Sequence, residues 1–163
     1  MAVGTMSDLS QPPDVSVLLV ELADFVTAVA HILPQTPDWQ QRPKTEAWNL
    51  TEVMCHLRDV EREVHQPRFR AVLTQENAFL PGVSSNDWAV PRQYAQQDGT
   101  QALQDFLIAR QETQAMLQAL SQAQWTRKGN HAFLGPTSMH ELLWLVVKHD
   151  QQHRRQLREL LSL

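Results

Sequence analysis

The sequence is short of nearly everything on which a secreted, turn-rich or membrane-spanning chain relies. It has one cysteine, Cys55, so no disulfide framework can be built on it. Five glycines and a single tyrosine disfavour a turn-rich all-β fold. The first basic residue is Arg42, so no charged region precedes the apolar stretch beginning at Val15, and no targeting signal is expected. That stretch carries Glu21 and Asp24, and the longest uninterrupted apolar run, Leu142 to Val147, is six residues. A bilayer needs about 20, so no membrane span is expected. Positive charge is scarce as well: 14 Lys and Arg against 18 Asp and Glu give −4. That balance argues against nucleic-acid binding, which depends on neutralising phosphates. The one basic cluster, Lys148, Arg154, Arg155 and Arg158, falls in the last turns of a predicted helix, where it complements the helix dipole. A cytoplasmic protein is the expectation.

What remains suits one domain over residues 1–163, large enough to bury roughly 70% of its surface without staples. Four segments carry helical periodicity. The first runs from about Val15 to Leu33, with Leu18, Leu22, Phe25 and Val29 on one stripe and Pro34 ending it. The second starts at Asn49, an N-cap with Glu52 as capping-box partner, and buries Val53, Leu57, Val60 and Val64. Pro67 should kink or end it near Gln66, with a continuation to about Gln75. Phe79 to Asp98 reads as a long loop, of the kind that often covers a pocket. The third helix spans about Thr100 to Gln122, and its many glutamines make it a candidate dimer surface. The fourth starts at Ser138, with Glu141 as its capping partner, and extends to about Leu161. No segment shows strand alternation. The fold class is all-α: a four-helix bundle with a long connection between its second and third helices.

Histidines occupy places where leucines belong. His149 and His153, four residues apart, leave the same face of the fourth helix, between Val146 and Leu157. His56 lies on the second helix's stripe, between Val53 and Val60. Any one alone reads as a hydrogen-bonded core histidine. Three together need three sets of buried partners, and each unsatisfied group costs on the order of 1–3 kcal/mol. A divalent transition metal satisfies all three, and imidazole suits zinc, nickel, copper and iron. Three protein ligands leave a position open, where a bound water or thiol becomes a nucleophile at neutral pH. Only neutral imidazole binds metal, so affinity should fall as the pH drops through about 6.5.

Asp59, one turn after His56, and Asp150, beside His149, are candidates to orient a ligand ring from behind. Trp88, Arg92 and Tyr94 in the long loop, and His131 before the fourth helix, are candidates to line a pocket. Cys55 points about 100° away from His56 and reads as a small core residue. His31, His65 and His140 lie near helix ends or off the stripes and read as structural.

The run Trp48-Asn-Leu-Thr-Glu-Val-Met-Cys-His56-Leu-Arg-Asp59-Val-Glu61, with His149-Asp-Gln-Gln-His153-Arg-Arg-Gln156, resembles the DinB/YfiT-like family of metal-binding four-helix bundles. Gly135-Pro-Thr-Ser-Met-His-Glu141 leading into the last helix supports it, and the likeness covers nearly the whole chain. The resemblance implies an up-down-down-up bundle, often a homodimer, with His56, His149 and His153 holding zinc, nickel or iron. Members of the family include S-transferases that use bacillithiol or mycothiol, a related maleylpyruvate isomerase, and proteins labelled metal-dependent hydrolases. The expected function is metal-dependent transfer of a low-molecular-weight thiol to an electrophilic small molecule. The alternatives are a hydrolase using metal-activated water and a non-catalytic metal-binding stress-response protein.

Overall fold

Three side-chain oxygens fix where the bundle's main helices begin. In a computed structural model that describes residues 11–162, Asn49 Oδ1 accepts from the Glu52 amide at 2.9 Å, while Glu52 Oε2 accepts from the Asn49 amide at 2.8 Å. This reciprocal box starts α2, Leu50–Val60. Asp98 caps α4, Gly99–Gln118, and a second box between Ser138 and Glu141 starts α6, Met139–Leu161. The remaining bundle helix, α1, is Val15–Ala30, with Leu18, Leu22, Phe25 and Val29 buried as their spacing predicts. The ends of the expected domain, residues 1–10 and 163, lie outside the described residues.

The second bundle helix is not broken at Pro67. A π-helical turn over Glu61–His65, closed by the Gln66 amide donating to the Glu61 carbonyl, carries it into α3, Gln66–Thr74. Proline has no N–H to give to a carbonyl one turn back and its ring crowds that carbonyl. The wide turn absorbs the defect and buries Glu61, Val64 and His65.

The connection from residue 75 to 98 is more ordered than a loop. It contains the strand β1, Phe79–Leu80, and short 3-10 turns at Ser85–Trp88 and Tyr94–Gln96. β1 runs parallel to β2, Lys128–His131, which pairs antiparallel with β3, Gly135–Ser138. Strands of two to four residues are too short to show alternation, so the expectation of no strand fails at this small sheet. The third helix also stops sooner than expected. Ser121 caps a separate short helix, α5, Gln122–Trp125.

The bundle proper is α1, the α2–α3 helix, α4 and α6, with α4 packed most extensively on α2 and α1 packed on α6 and α4. By length and composition Val15–Gln35 is apolar enough to cross a membrane, contrary to expectation. Its placement is that of a bundle helix, with the Leu18–Val29 stripe in the core.

The core is divided. One apolar cluster gathers Phe25, Val53, Leu57, Tyr94, Leu103, Phe106 and Leu157. The other gathers Leu18, Leu22, Phe69, Val72, Leu117, Leu142 and Val146. Between these positions on three of the four bundle helices sit buried polar residues: Asp59, Glu61, His65 and Gln66, then Arg110 and Thr113, then Asp150 and His153 with the half-buried His149. A polar layer therefore cuts across the bundle, and the histidines belong to it.

Candidate metal centre

His56 on α2 and His149 and His153 on α6 converge, with one ligand nitrogen from each within 4.8 Å of the others. Nε2 of His149 stands 3.3 Å from that of His56 and 3.1 Å from that of His153. Two nitrogens each about 2.0–2.1 Å from a tetrahedral ion would be about 3.3–3.4 Å apart, so the spacing suits a small divalent metal. His56 and His153 are buried and His149 half-buried. Trp48 closes one side, its ring 5.0 Å from that of His56.

Burial keeps all three rings neutral. It pushes the His56 pKa down to about 3, reinforced by His153 and His65. It depresses His149 strongly, with His65, His153 and His56 adding to the effect. His153 is lowered by burial, partly offset by its bond to Gln156. Neutral imidazole is the metal-binding form, and the window expected near pH 6.5 therefore moves down.

Of the three second nitrogens, that of His153 has a partner. His153 Nδ1 meets Gln156 Oε1 at 2.8 Å, and since an amide oxygen only accepts, the proton is on Nδ1 and the lone pair on Nε2. Nδ1 of His56 and of His149 are buried without a hydrogen-bond partner. The donor set is three imidazoles with their Nε2 atoms facing one point, which suits zinc, nickel or iron. A cleft of about 640 Å³ opens beside them, lined by Trp48, Ser85, Asn86, His149, Gln152, His153 and Gln156.

Behind the triad lies a charged network that periodicity does not reveal. Arg110 on α4 is 1% exposed and grips Asp150 with two bonds, Nη1 to Oδ2 at 2.6 Å and Nη2 to Oδ1 at 3.0 Å. Its Nη2 also lies 2.9 Å from Glu61 Oε2, and the Thr113 hydroxyl donates to Glu61 Oε1. Burial pushes Asp150 up to about 6 against the pull of Arg110, because one guanidinium is shared between two carboxylates. Glu61 is held below the ordinary range: Arg110, His65 and Thr113 outweigh its burial. His65, on the π-helical turn, lies edge-on to His149 with ring centroids 5.3 Å apart.

The other expected site residues fall elsewhere. Asp150 is no ring-orienting partner of His149: its carboxylate faces Arg110, and His149 Nδ1 has no hydrogen-bond partner. Asp59 accepts from Arg58, Arg92 and the Tyr94 hydroxyl at 2.7–2.8 Å, and His56 Nδ1 is left without it. Arg92 also grips Glu63 and stacks 3.9 Å over the Trp88 ring. Trp88, Arg92 and Tyr94 therefore pin the connection to α2 and do not line the cleft, where Ser85 and Asn86 stand instead. His131 sits on β2, where its Nδ1 accepts from the Phe133 amide, also outside the cleft lining. Cys55 is a core residue, its thiol pushed up to about 11 by burial.

The family model described as the DinB superfamily matches residues 19–157. Among solved structures the chain is similar to YfiT from Bacillus subtilis, with a TM-score of 0.76 and 19% sequence identity. The match covers 93% of this chain and 91% of that one. YfiT is described as a probable metal-dependent hydrolase with an unusual four-helix bundle topology. At that identity the likeness speaks for the fold: a long connection such as residues 75–98 is what an up-down-down-up bundle requires between its second and third helices. No curated protein matches the sequence.

Proposed function

The chain belongs to the DinB superfamily, and from that premise we propose a metal-dependent enzyme that transfers a low-molecular-weight thiol to an electrophilic small molecule. The observation that carries this reading is the convergence of three neutral imidazole nitrogens beside an open cleft. His56, His149 and His153 would hold a divalent zinc, nickel or iron ion with at least one coordination position open. Such an ion lowers the pKa of a bound thiol or water into the neutral range.

The chain's own residues supply the rest. Gln156 fixes the tautomer of His153, and Trp48 backs His56 while walling the cleft. Ser85, Asn86 and Gln152 offer neutral hydrogen-bonding groups to a substrate. Among the described residues lining the cleft there is no Asp, Glu, Lys or Arg. Ester or amide hydrolysis ordinarily uses a positioned acid–base group to carry the proton from metal-bound water to the leaving group, and no carboxylate lines the cleft to do so. Thiol transfer needs no such shuttle: the thiol loses its proton to solvent, and the thiolate forms a C–S bond as the C–Cl bond breaks and chloride leaves, or as an epoxide C–O bond breaks and the alkoxide takes a proton from solvent. This favours thiol transfer over hydrolysis, the second reading, which the description of YfiT supports.

The test supplies metal-loaded protein with bacillithiol, glutathione or cysteine and a chlorinated or epoxide electrophile. Metal-dependent conjugation is expected with one of them, and none with any would remove the reading. Thiol-independent turnover of an ester or amide panel would replace it with hydrolysis. The proposal includes a cytoplasmic homodimer paired through the glutamine-rich face of α4, checked by sedimentation.

A further inference from the structure

Ser85 and Asn86 are the two residues that the long connection brings to the cleft, and among the described residues neither side chain has a hydrogen-bond partner. Both are free to meet a ligand, and their place beside the three histidines depends on how the backbone is held. It is held on both sides. Arg68 Nη2 donates to the Pro81 carbonyl at 2.8 Å on one side. On the other, the Arg92 amide donates to the Trp88 carbonyl at 3.0 Å, and the Arg92 guanidinium lies 3.9 Å over the Trp88 ring. Arg92 is fixed in turn to the α2–α3 helix, by Asp59 at 2.8 Å and by both oxygens of Glu63 at 2.7 and 2.9 Å. Asp59, 7% exposed, also accepts from the buried Tyr94 hydroxyl and from Arg58 Nε, each at 2.7 Å. Arg58 reaches on to Gln97, whose amide donates to the Arg92 carbonyl at 2.9 Å. Gln93, between Arg92 and Tyr94, is left-handed, with φ at +52°. A residue other than glycine keeps that conformation only where its surroundings over-determine it, and both of its neighbours bond Asp59.

We propose that Asp59 is the positioning residue of the substrate cleft. Through Arg92, Tyr94 and Trp88 it holds the Ser85–Trp88 turn so that the Ser85 hydroxyl and the Asn86 amide meet a polar group of the electrophile. This rests on the reading of that cleft as the substrate site. Asp59 lies one turn after His56 on α2, so a histidine of the centre and the clamp for the cleft wall share one rigid element. His56 Nδ1 has no partner and takes nothing from Asp59, so the clamp acts on the substrate and not on the metal. Glu63 cannot replace it. Glu63 is half exposed, and without Asp59 the buried Tyr94 hydroxyl loses its acceptor.

The test uses full-length, zinc-loaded protein with monochlorobimane as the electrophile and bacillithiol, glutathione or cysteine as the thiol. Wild type is compared with Asp59→Asn, Arg92→Met, Asn86→Ala and the double variant Asp59→Asn/Asn86→Ala. Zinc affinity by chelator competition and amide hydrogen exchange are measured alongside. Each single variant should raise KM for the bimane by about 2–12-fold with kcat nearly unchanged, the loss of about one hydrogen bond to the bound electrophile. The double variant should raise KM no further than Asp59→Asn alone, because the Asn86 amide has already left its place. Zinc affinity should stay within a few-fold of wild type. Amide exchange in Asp59→Asn and Arg92→Met should quicken over residues 85–97 and stay unchanged in α1 and α6. An unchanged KM in any single variant, KM effects that multiply in the double variant, or unchanged exchange over 85–97 would overturn the proposal. Zinc binding weakened about tenfold or more in Asp59→Asn would overturn it too, since Asp59 would then support the metal. If wild type conjugates none of the three thiols, the thiol-transfer reading falls, and exchange and zinc affinity decide the clamp by the same criteria.

Discussion

Replacing Arg110 with methionine keeps most of the side-chain volume and removes the only cation that reaches Asp150 and Glu61 within 4 Å among the described residues. Arg110 and Glu61 are 1% and 0% exposed and Asp150 is 3% exposed, so water cannot take over the lost contacts. Breaking a buried ion pair by deleting one partner costs about 3–5 kcal/mol, because the remaining charge is stranded. A domain is held by about 5–15 kcal/mol, so the metal-free variant should be severely weakened. At about 2–4 °C per kcal/mol for a chain of this size, its melting temperature should fall by about 6–20 °C at pH 7.5. The pH dependence follows from the sign of proton uptake. In wild type Asp150 is already raised to about 6 and Glu61 is held low; without Arg110 both rise further, so between pH 7.5 and 5 the folded variant takes up more protons than folded wild type does. Stability relative to wild type should therefore recover as the pH is lowered from 7.5 to 5. Adding Asp150→Asn and Glu61→Gln should restore most of the loss at every pH, since no buried charge is then left unpaired. Thermal melts of the three metal-free proteins at both pH values check this. A deficit below about 2 °C, or one that does not change with pH, would refute the picture of a charge-coupled layer.

Cys55, fully buried and pushed up to about 11, should not react with a chromogenic disulfide reagent at pH 8 until denaturant is added, and fast native labelling would contradict its place in the core. Asn49→Ala removes the capping box that starts α2 and should cost about 1 kcal/mol by urea titration, while an unchanged midpoint would deny the box its role. Gly99→Ala should destabilise by about 1–3 kcal/mol, because a Cβ there would sit 2.5 Å from a Trp39 ring carbon and 2.7 Å from Thr51 Oγ1.

Much of this architecture is legible from spacing. Asn49 with Glu52 and Ser138 with Glu141 announce two helix starts, and the inward spacing of His56, His149 and His153 brings them to one point. The charged layer is harder to see, although Phe106, Arg110, Thr113 and Leu117 repeat at three and four residues. An arginine on an apolar stripe reads as a surface residue until its carboxylates are known, and those come from two other helices. His65 is hidden for a geometric reason. Nine residues after His56, a regular helix places it about 180° away, on the opposite face. The wide turn just before Pro67 changes that count, and no periodicity test includes it. Trp88, Arg92 and Tyr94 stand outside the cleft lining. Their bonds to Asp59 and Glu63 arise from how residues 75–98 fold back on α2, through contacts some thirty residues apart. The small sheet is equally remote, since Leu80 pairs with His131.

The most direct test is the metal content of the purified protein by elemental analysis, beside that of His149→Ala. One divalent transition-metal ion per chain is expected in wild type, and a marked loss in the variant with helical circular dichroism unchanged. Wild-type protein that cannot be loaded to stoichiometry, or a variant that holds metal as tightly, would contradict the assignment of His56, His149 and His153.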